Sequence, residues 1–251
     1  MKISVITVCY NNKDGLLKTV KSIINQTYQD LEFIIIDGGS TDGSVELIKE
    51  YQKKFSLTFI TESDQGIYDA MNKGIKLSTG EWLNFMNSGD TFYKPDTIEE
   101  AAKSLTDTED IIYGNTEIVY PDFKTIKNEP EPAKLWQGRI PHQSSFIKSS
   151  IMKKYGYNSI NKIVADLEFF MTVYYNGGHL KKIDQTIASF TKDGVTEKKG
   201  RQVINDAYRT VKKYKTGMNV NIYYNLLKIK PLLKRFLPRQ IFKFIKTKTK
   251  L

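Results

Sequence analysis

Along the first 90 residues, apolar and polar positions alternate in blocks rather than singly. "ISVITVC" (3–9) is a short β-branched apolar run that stops at Tyr10-Asn11-Asn12, the pattern of a strand buried on both faces. Asn11 or Asn12 is placed to cap the next element, where Leu16, Leu17, Val20, Ile23 and Ile24 recur at helical spacing. "LEFIII" (31–36) predicts a second buried strand, and Val45, Ile48 and Phe55 mark a helix after it. "LTFITE" (57–62) predicts a third strand. "IYDAMNKGIKL" (67–77) carries the stripe Ile67, Ala70, Met71, Ile75 of another helix, and "EWLNFM" (81–86) predicts a fourth strand. Strand and helix joined by short connections predict parallel βαβ units in a sheet covered on both faces.

The pattern changes after Asp90. A helix is expected near 97–105, followed by strand-like pieces at 111–115, 117–120 and 143–148, with "EPEPAK" (129–134) as a loop. A helix around Asp166–Tyr175 is closed by Gly177-Gly178, and two short strands are expected near 180–190. The fold class is therefore α/β, with a parallel half (1–90) and a mixed half (91–195) forming one domain, and an extension at 196–251.

Composition narrows the picture. A chain of 251 residues, 40% hydrophobic, holds enough apolar material for one large core. A lone cysteine, Cys9, precludes a disulfide framework and fits a reducing compartment. Two histidines, His142 and His179, do not make a histidine cage. No run reaches the length of a membrane-spanning helix, and Met1-Lys2 leads straight into a strand rather than a signal peptide. The net charge of +10 sits at one end: residues 207–251 hold 13 Lys or Arg and no Asp or Glu, which leaves the first 206 residues at −3. A nucleic-acid-binding domain would spread its cations over the folded surface, so no nucleic-acid partner is expected.

In open parallel sheets ligands bind at the carboxyl ends of the strands. The polar clusters fall there: Tyr10-Asn11-Asn12, Asp37-Gly38-Gly39-Ser40, Glu62-Ser63-Asp64-Gln65 and Asn87-Ser88-Gly89-Asp90. Each could be mere turn chemistry; four in succession point to a site. No G-x-G-x-x-G follows a strand and no P-loop is present, which disfavours dehydrogenases and P-loop NTPases. A nucleotidyltransferase would want a basic glycine-rich loop after the first strand, where "YNNKDG" offers only Lys13.

"ISVITVCYNN", "LEFIIIDGGSTDGS" and "ESDQGIYDAMNKGIKLSTGEWLNFMNSGD" resemble, in this order, the N-terminal half of family 2 glycosyltransferases, and the resemblance extends over about residues 1–195. It implies the GT-A fold and a nucleotide-diphosphate sugar donor, UDP- or GDP-linked. Its "QGIYDAMNKG" and "NSGD" forms are most similar to enzymes of bacterial capsule, O-antigen and exopolysaccharide assembly. Carried onto this chain, the resemblance makes Tyr10 the aromatic that packs on the base, with Asn11 beside it. Asp37 becomes a contact to base and ribose, with Gly38 where a second acid usually stands. Asp64 becomes a donor-contacting acid, or the cap of the next helix, and Asn72 belongs to the same "G-x-x-x-A-x-N-x-G" helix. Asn87, Ser88 and Gly89 lie at the donor phosphates, where Gly89 leaves room for close approach.

The same four-residue stretch stands in place of the family's D-x-D motif, so Mg²⁺ or Mn²⁺ is the implied cofactor. Asp90 is its one carboxylate ligand, and the amide oxygen of Asn87 is a weaker one. In "IVADLEFF" Asp166 corresponds to the base that deprotonates the acceptor hydroxyl in an inverting displacement, while Glu168 faces elsewhere. Asp166 also suits the first turn of a helix for its charge alone. "RIPHQSSF" (139–146) matches the acceptor-side "HQ" segment through His142 and Gln143, with His142 either touching a phosphate or the metal or serving the fold. Trp82 and Trp136 read as packing residues, and His179 as a turn residue.

The end of the chain adds a partner. From Ile229, apolar residues at 229, 232, 233, 236, 237, 241, 244 and 245 fall at helical spacing among lysines and arginines, with Pro231 near the start and Pro238 breaking the run. Two short basic amphipathic helices on an anionic membrane are expected, or else a helix docked on the domain. Membrane contact would suit a lipid-linked saccharide acceptor and a peripheral location on the cytoplasmic face of the membrane.

Overall fold

The computed structural model describes residues 1–191 and 200–236, with side chains to residue 229. The parallel half forms as its periodicity requires. Strands β1 (Ile3–Cys9), β2 (Leu31–Asp37), β3 (Thr58–Thr61) and β4 (Trp82–Phe85) alternate with helices α1 (Lys13–Ile24), α2 (Ser44–Gln52) and α3 (Ile67–Leu77). β1 pairs in parallel with both β2 and β4, and β2 with β3. All seven residues of β1 are buried, as a central strand covered on both faces must be. Phe55 lies beyond the end of α2 and stacks on Tyr51. Gly74 lets α3 lie against β1: a Cβ there would sit 2.4 Å from Ile6 Cγ2.

The second half extends the sheet. β5 (Thr91–Phe92), α4 (Thr97–Ala102), β6 (Ile111–Val119), β7 (Lys124–Lys127), β8 (Ser145–Lys148), α5 (Ser149–Tyr155), α6 (Ala165–Tyr175) and β9 (Leu180–Thr191) come next along the chain. Among the described residues the sheet runs β3-β2-β1-β4-β8-β6-β9-β5, with β7 on β6. β8 joins antiparallel to β4 and β6, so the two halves share one continuous sheet.

Several sequence expectations change here. The pieces at 111–115 and 117–120 are one strand, as are the two expected near 180–190. β6 and β9 pair in parallel through register shifts around Asn115, and a Cβ on Gly114 would lie 2.2 Å from the Gln185 carbonyl. Gly114 therefore marks a close approach of two backbones, not a strand end. The expected strand 143–148 begins at Ser145 after a 3-10 turn at His142–Ser144, and the 129–134 loop runs into a second such turn at Pro132–Gln137. Helix α5 carried no clear periodic signal.

Helices α7 (Gly200–Lys212) and α8 (Met218–Phe236) complete the described chain. Ala207, Val211, Val220 and Tyr224 are buried in the cluster that also holds Leu167, Phe170 and Tyr113, so this part of the extension is packed on the domain. α8 starts well before Pro231, which was expected near its beginning. The break at Pro238 and the second tail helix lie outside the described residues.

Candidate active site

The four strand-end clusters meet and are tied to one another by hydrogen bonds. Asn11, held at φ +47, accepts from Thr41 N–H through its side-chain oxygen at 2.8 Å, and its own N–H donates to Ser40 Oγ at 2.8 Å. The loop after β1 is thereby joined to the loop after β2. Asn12, not Asn11, caps α1 by accepting from Gly15 N–H at 3.2 Å. Its Nδ2 donates to the Ser88 carbonyl at 3.1 Å, and Ser88 Oγ donates back to the Asn12 carbonyl at 3.0 Å, which joins the first loop to the fourth. Residues far apart in sequence thus form one rigid rim.

On this rim Tyr10 is 67% exposed, free to present its ring. Asp37 is buried beneath it. Its Oδ2 accepts from Gly39 N–H, Ser40 N–H and Thr61 Oγ at 2.7–3.0 Å, while its Oδ1 is buried and finds no donor among the described residues. Gly38 has a structural reason: a Cβ there would lie 3.0 Å from Asp64 Oδ2 and 3.2 Å from the Tyr10 ring. Asp64 does not cap α3; the cap position is Gly66, with no side-chain cap, and Asp64 is paired with Lys73. Lys73 also reaches Glu62 at 2.8 Å, and its pKa is raised by these carboxylates. Asn72 has both ends of its amide committed to Tyr157: Nδ2 donates to the carbonyl at 2.8 Å and Oδ1 accepts the N–H at 2.9 Å. It fastens α3 to the loop before α6.

The turn 87–90 is organised by Thr19 of α1, which the sequence did not single out. Thr19 Oγ lies within bonding distance of the Asn87 and Asp90 carbonyls at 3.1 and 2.7 Å and accepts Gly89 N–H at 3.0 Å. Gly89 has φ +104, so glycine is required there by backbone conformation as well as by space. Asp90 is half-buried and accepts from Gln143 Nε2 at 2.9 Å; burial pushes its carboxyl up to about 6, against the pull of Gln143 and His142. Asn87 Nδ2 lies 2.8 Å from His142 Nε2, and Asn87 Oδ1 is buried without a donor among the described residues.

Behind His142 lies a second cluster. Asp166, in the first turn of α6, has a side chain only 4% exposed. Arg139 Nη2 donates to both of its oxygens at 2.7 and 2.8 Å, and Leu167 N–H donates to Oδ1 at 2.8 Å. His142 Nδ1 stands 3.7 Å from Oδ2. Burial raises the Asp166 carboxyl, but the Arg139 charge and His142 overcome it and hold the group well below the usual carboxylate range. The buried hydroxyls of Tyr68 and Tyr157 are driven up by burial and by this charge. Glu168 faces away, accepting from Asn158, Asn161 and Lys213. Arg139 was missed by sequence reasoning. Its signal was indirect: a buried aspartate needs a cation, and an arginine stands three residues before His142.

A divalent cation tests well against these residues in one respect. Asn87 Oδ1 is a buried acceptor lacking a donor, and Asp90 is a carboxylate whose charge burial disfavours. Both are relieved by a cation. Among the described residues no group of three acidic, histidine or cysteine side chains gathers, so at this turn Asp90 and the Asn87 amide oxygen are the side chains that would hold the ion. That is the Mg²⁺ pattern, in which substrate phosphates and water complete the shell.

Residues 4–192 match the family described as glycosyl transferase family 2. The chain belongs to this family. It is 36% identical over 177 residues to an uncharacterized glycosyltransferase of Mycobacterium tuberculosis, an alignment covering 67% of each protein. S. aureus TarS 1–349, solved in complex with UDP-GlcNAc, superposes with a TM-score of 0.68 at 16% identity, over 92% of this chain and 72% of that one. The mannosyltransferase PcManGT from Pyrobaculum calidifontis, solved with GDP-Man and Mn²⁺, gives 0.69 at 15% identity, over 91% and 69%. At such identities the structures speak for the fold, which is GT-A. The protein is a glycosyltransferase. In the glycosyltransferase the four strand-end loops form one rim, and the Arg139–Asp166–His142 cluster lies on the second half of the domain.

Proposed function

We propose that this glycosyltransferase moves a sugar from a UDP- or GDP-linked donor to a hydroxyl of a saccharide acceptor, with inversion at the anomeric carbon. The observation that carries the reading is the pair of buried acceptor oxygens, Asp37 Oδ1 and Asn87 Oδ1, on loops that the rim brings together. Buried acceptors of this kind are normally satisfied. An N–H or O–H of base or ribose would satisfy the first, with Tyr10 against the base, and a cation the second. When bound, that cation neutralises the charge that develops on the leaving diphosphate.

Asp166 takes the acceptor proton. The hydroxyl oxygen forms its bond to the anomeric carbon, the bond from that carbon to the diphosphate oxygen breaks, and the proton passes to the carboxylate. Held ionised by Arg139, Asp166 is ready to accept at any physiological pH. It is also a weak base, so the proton moves as the new bond forms rather than ahead of it. His142 and Gln143 join this cluster to Asn87 and Asp90, linking the acceptor side to the phosphate side. The resemblance to surface-polysaccharide enzymes supports a lipid-linked saccharide as acceptor.

A thermal-shift panel of UDP- and GDP-sugars with and without Mn²⁺ tests the reading. One sugar nucleotide is expected to raise the melting temperature, more so with metal. Absence of any shift across the panel would overturn donor binding, and full transfer activity in Asp166→Asn would overturn Asp166 as the base.

A further inference from the structure

Helix α8 is apolar on two opposite faces. Val220, Tyr223, Tyr224 and Leu227 pack on the domain. There Tyr223 Oη donates to the Gln137 carbonyl, Tyr224 Oη donates to the Trp136 carbonyl at 3.1 Å, and Tyr223 meets Trp136 edge-on at 5.6 Å. On the other side Met218, Ile222, Leu226 and Ile229 succeed one another at spacings of four, four and three, and are 76, 50, 57 and 44% exposed. A helix with a single core-facing stripe places polar residues opposite it, and apolar residues on both faces call for a second covering.

The charge around the stripe selects what covers it. No acidic residue comes after Asp206 in the chain, and 13 Lys or Arg do, eight of them beyond residue 229. Lys212 and Lys228 lie over the ring of Tyr208, at 5.4 and 4.8 Å, which keeps two of these cations beside α8. A second copy of this chain would bring like charge against like charge at the same place. An anionic lipid surface matches both features, with apolar side chains entering the acyl boundary and lysines at headgroup level.

We infer that α8 is a membrane-docking helix that lies in the plane of an anionic bilayer with Met218, Ile222, Leu226 and Ile229 inserted, its inner face remaining locked to the glycosyltransferase domain. The docking does not depend on which sugar is moved. It has a consequence for the acceptor side, because the backbone that α8 grips at Trp136 and Gln137 runs directly into Arg139 and His142. The segment carrying the counter-ion of Asp166 would therefore be held next to the bilayer, where a lipid-borne acceptor would arrive.

The test uses the full chain. The wild type is expected to sediment with vesicles of phosphatidylcholine and phosphatidylglycerol, and weakly with phosphatidylcholine alone. Ile222→Ser/Leu226→Ser should weaken that association at least about tenfold, since two apolar insertions are lost, with the melting temperature unchanged because both side chains are exposed. Leu226→Trp should show a blue-shifted emission on adding the anionic vesicles and quenching by brominated lipid. Undiminished vesicle binding by the double serine variant would overturn the inserted stripe, leaving only the basic residues to hold the membrane. No binding by the wild type, or a wild-type dimer that the serine variant converts to a monomer, would overturn the membrane as the partner.

Discussion

Arg139→Ala probes the buried charge cluster most directly. In the wild type the Arg139 guanidinium, with a side chain 24% exposed, is the cation on Asp166, which is 4% exposed. Removing it leaves a carboxylate in the core with one backbone N–H and an imidazole 3.7 Å away. Stripping one partner from a buried pair costs about 3–5 kcal/mol. Arg139 is 24% exposed, so water can reach the vacated site, which places the expectation at the low end, near about 3 kcal/mol. For a domain of this size each kcal/mol lowers the melting temperature by about 2–4 °C, so a fall of about 6–12 °C is expected. Adding Asp166→Asn to the variant removes the orphaned charge and should recover most of the loss.

The pH dependence has a definite sign. In the wild type Asp166 is held below its unfolded value, so its stabilisation is complete above about pH 4 and is lost only as pH falls toward the folded value. In Arg139→Ala the largest charge opposing burial is gone and burial raises the group, so stability is lost as pH rises through the raised value. The deficit should therefore grow from about pH 5 to about pH 7.5. Denaturant unfolding of the four proteins of the double-mutant cycle at both pH values measures it. A loss under about 1 kcal/mol, a deficit that does not change with pH, or a double variant no more stable than Arg139→Ala would refute the reasoning.

Three further outcomes are expected. Asp90, pushed up to about 6 by burial, holds a proton more tightly folded than unfolded, so it costs stability as pH rises from about 4 to about 6. Asp90→Asn should therefore stabilise the metal-free protein by about 1–2 kcal/mol near pH 7, where its half-buried position moderates the full effect, and by nothing near pH 4; chemical denaturation at the two pH values checks this, and the same variant should lose the metal dependence of donor binding in calorimetry. Thr19→Val strips the hydroxyl that braces the 87–90 turn and should cost about 1–3 kcal/mol with weaker sugar-nucleotide binding, while an unchanged dissociation constant would remove Thr19 from the account of the site. Gly38→Asp, which restores the acid usual in the family, places a Cβ 3.0 Å from Asp64 Oδ2 and should reduce donor affinity rather than improve it, as read by a titration with the donor found in the panel.

Much of the strand-end rim was legible in the chain. A strand buried on both faces needs an unbroken β-branched run, and a loop at its end needs glycine, asparagine or aspartate, so the four strand ends and their clusters are local features with local causes. That pattern placed Tyr10, Asp37 and the 87–90 turn at strand ends, where the structure has them. The roles of other residues could not. Asn72 lies in a recognisable motif, yet its amide is satisfied by the backbone of Tyr157, 85 residues on. Gly89 read as space for a ligand and is also a backbone necessity, which only φ reveals.

What the sequence by itself determined was the order and kind of elements in the parallel half, the polar clusters at its strand ends and the basic end of the chain, because each depends on the period or composition of a short stretch. Tertiary structure alone decided which side chains meet: Arg139 with Asp166, 27 residues apart, Gln143 with Asp90, 53 apart, and His142 with Asn87, 55 apart. It also decided that residues 111–119 form one strand, with Gly114 backed closely by Gln185, and that α8 is apolar on an inner face and an outer one. The reason is the same in each case. Pairing of buried charges and close approach of backbones are set by the closing of the sheet through β8, a contact between segments that carry no trace of one another in sequence.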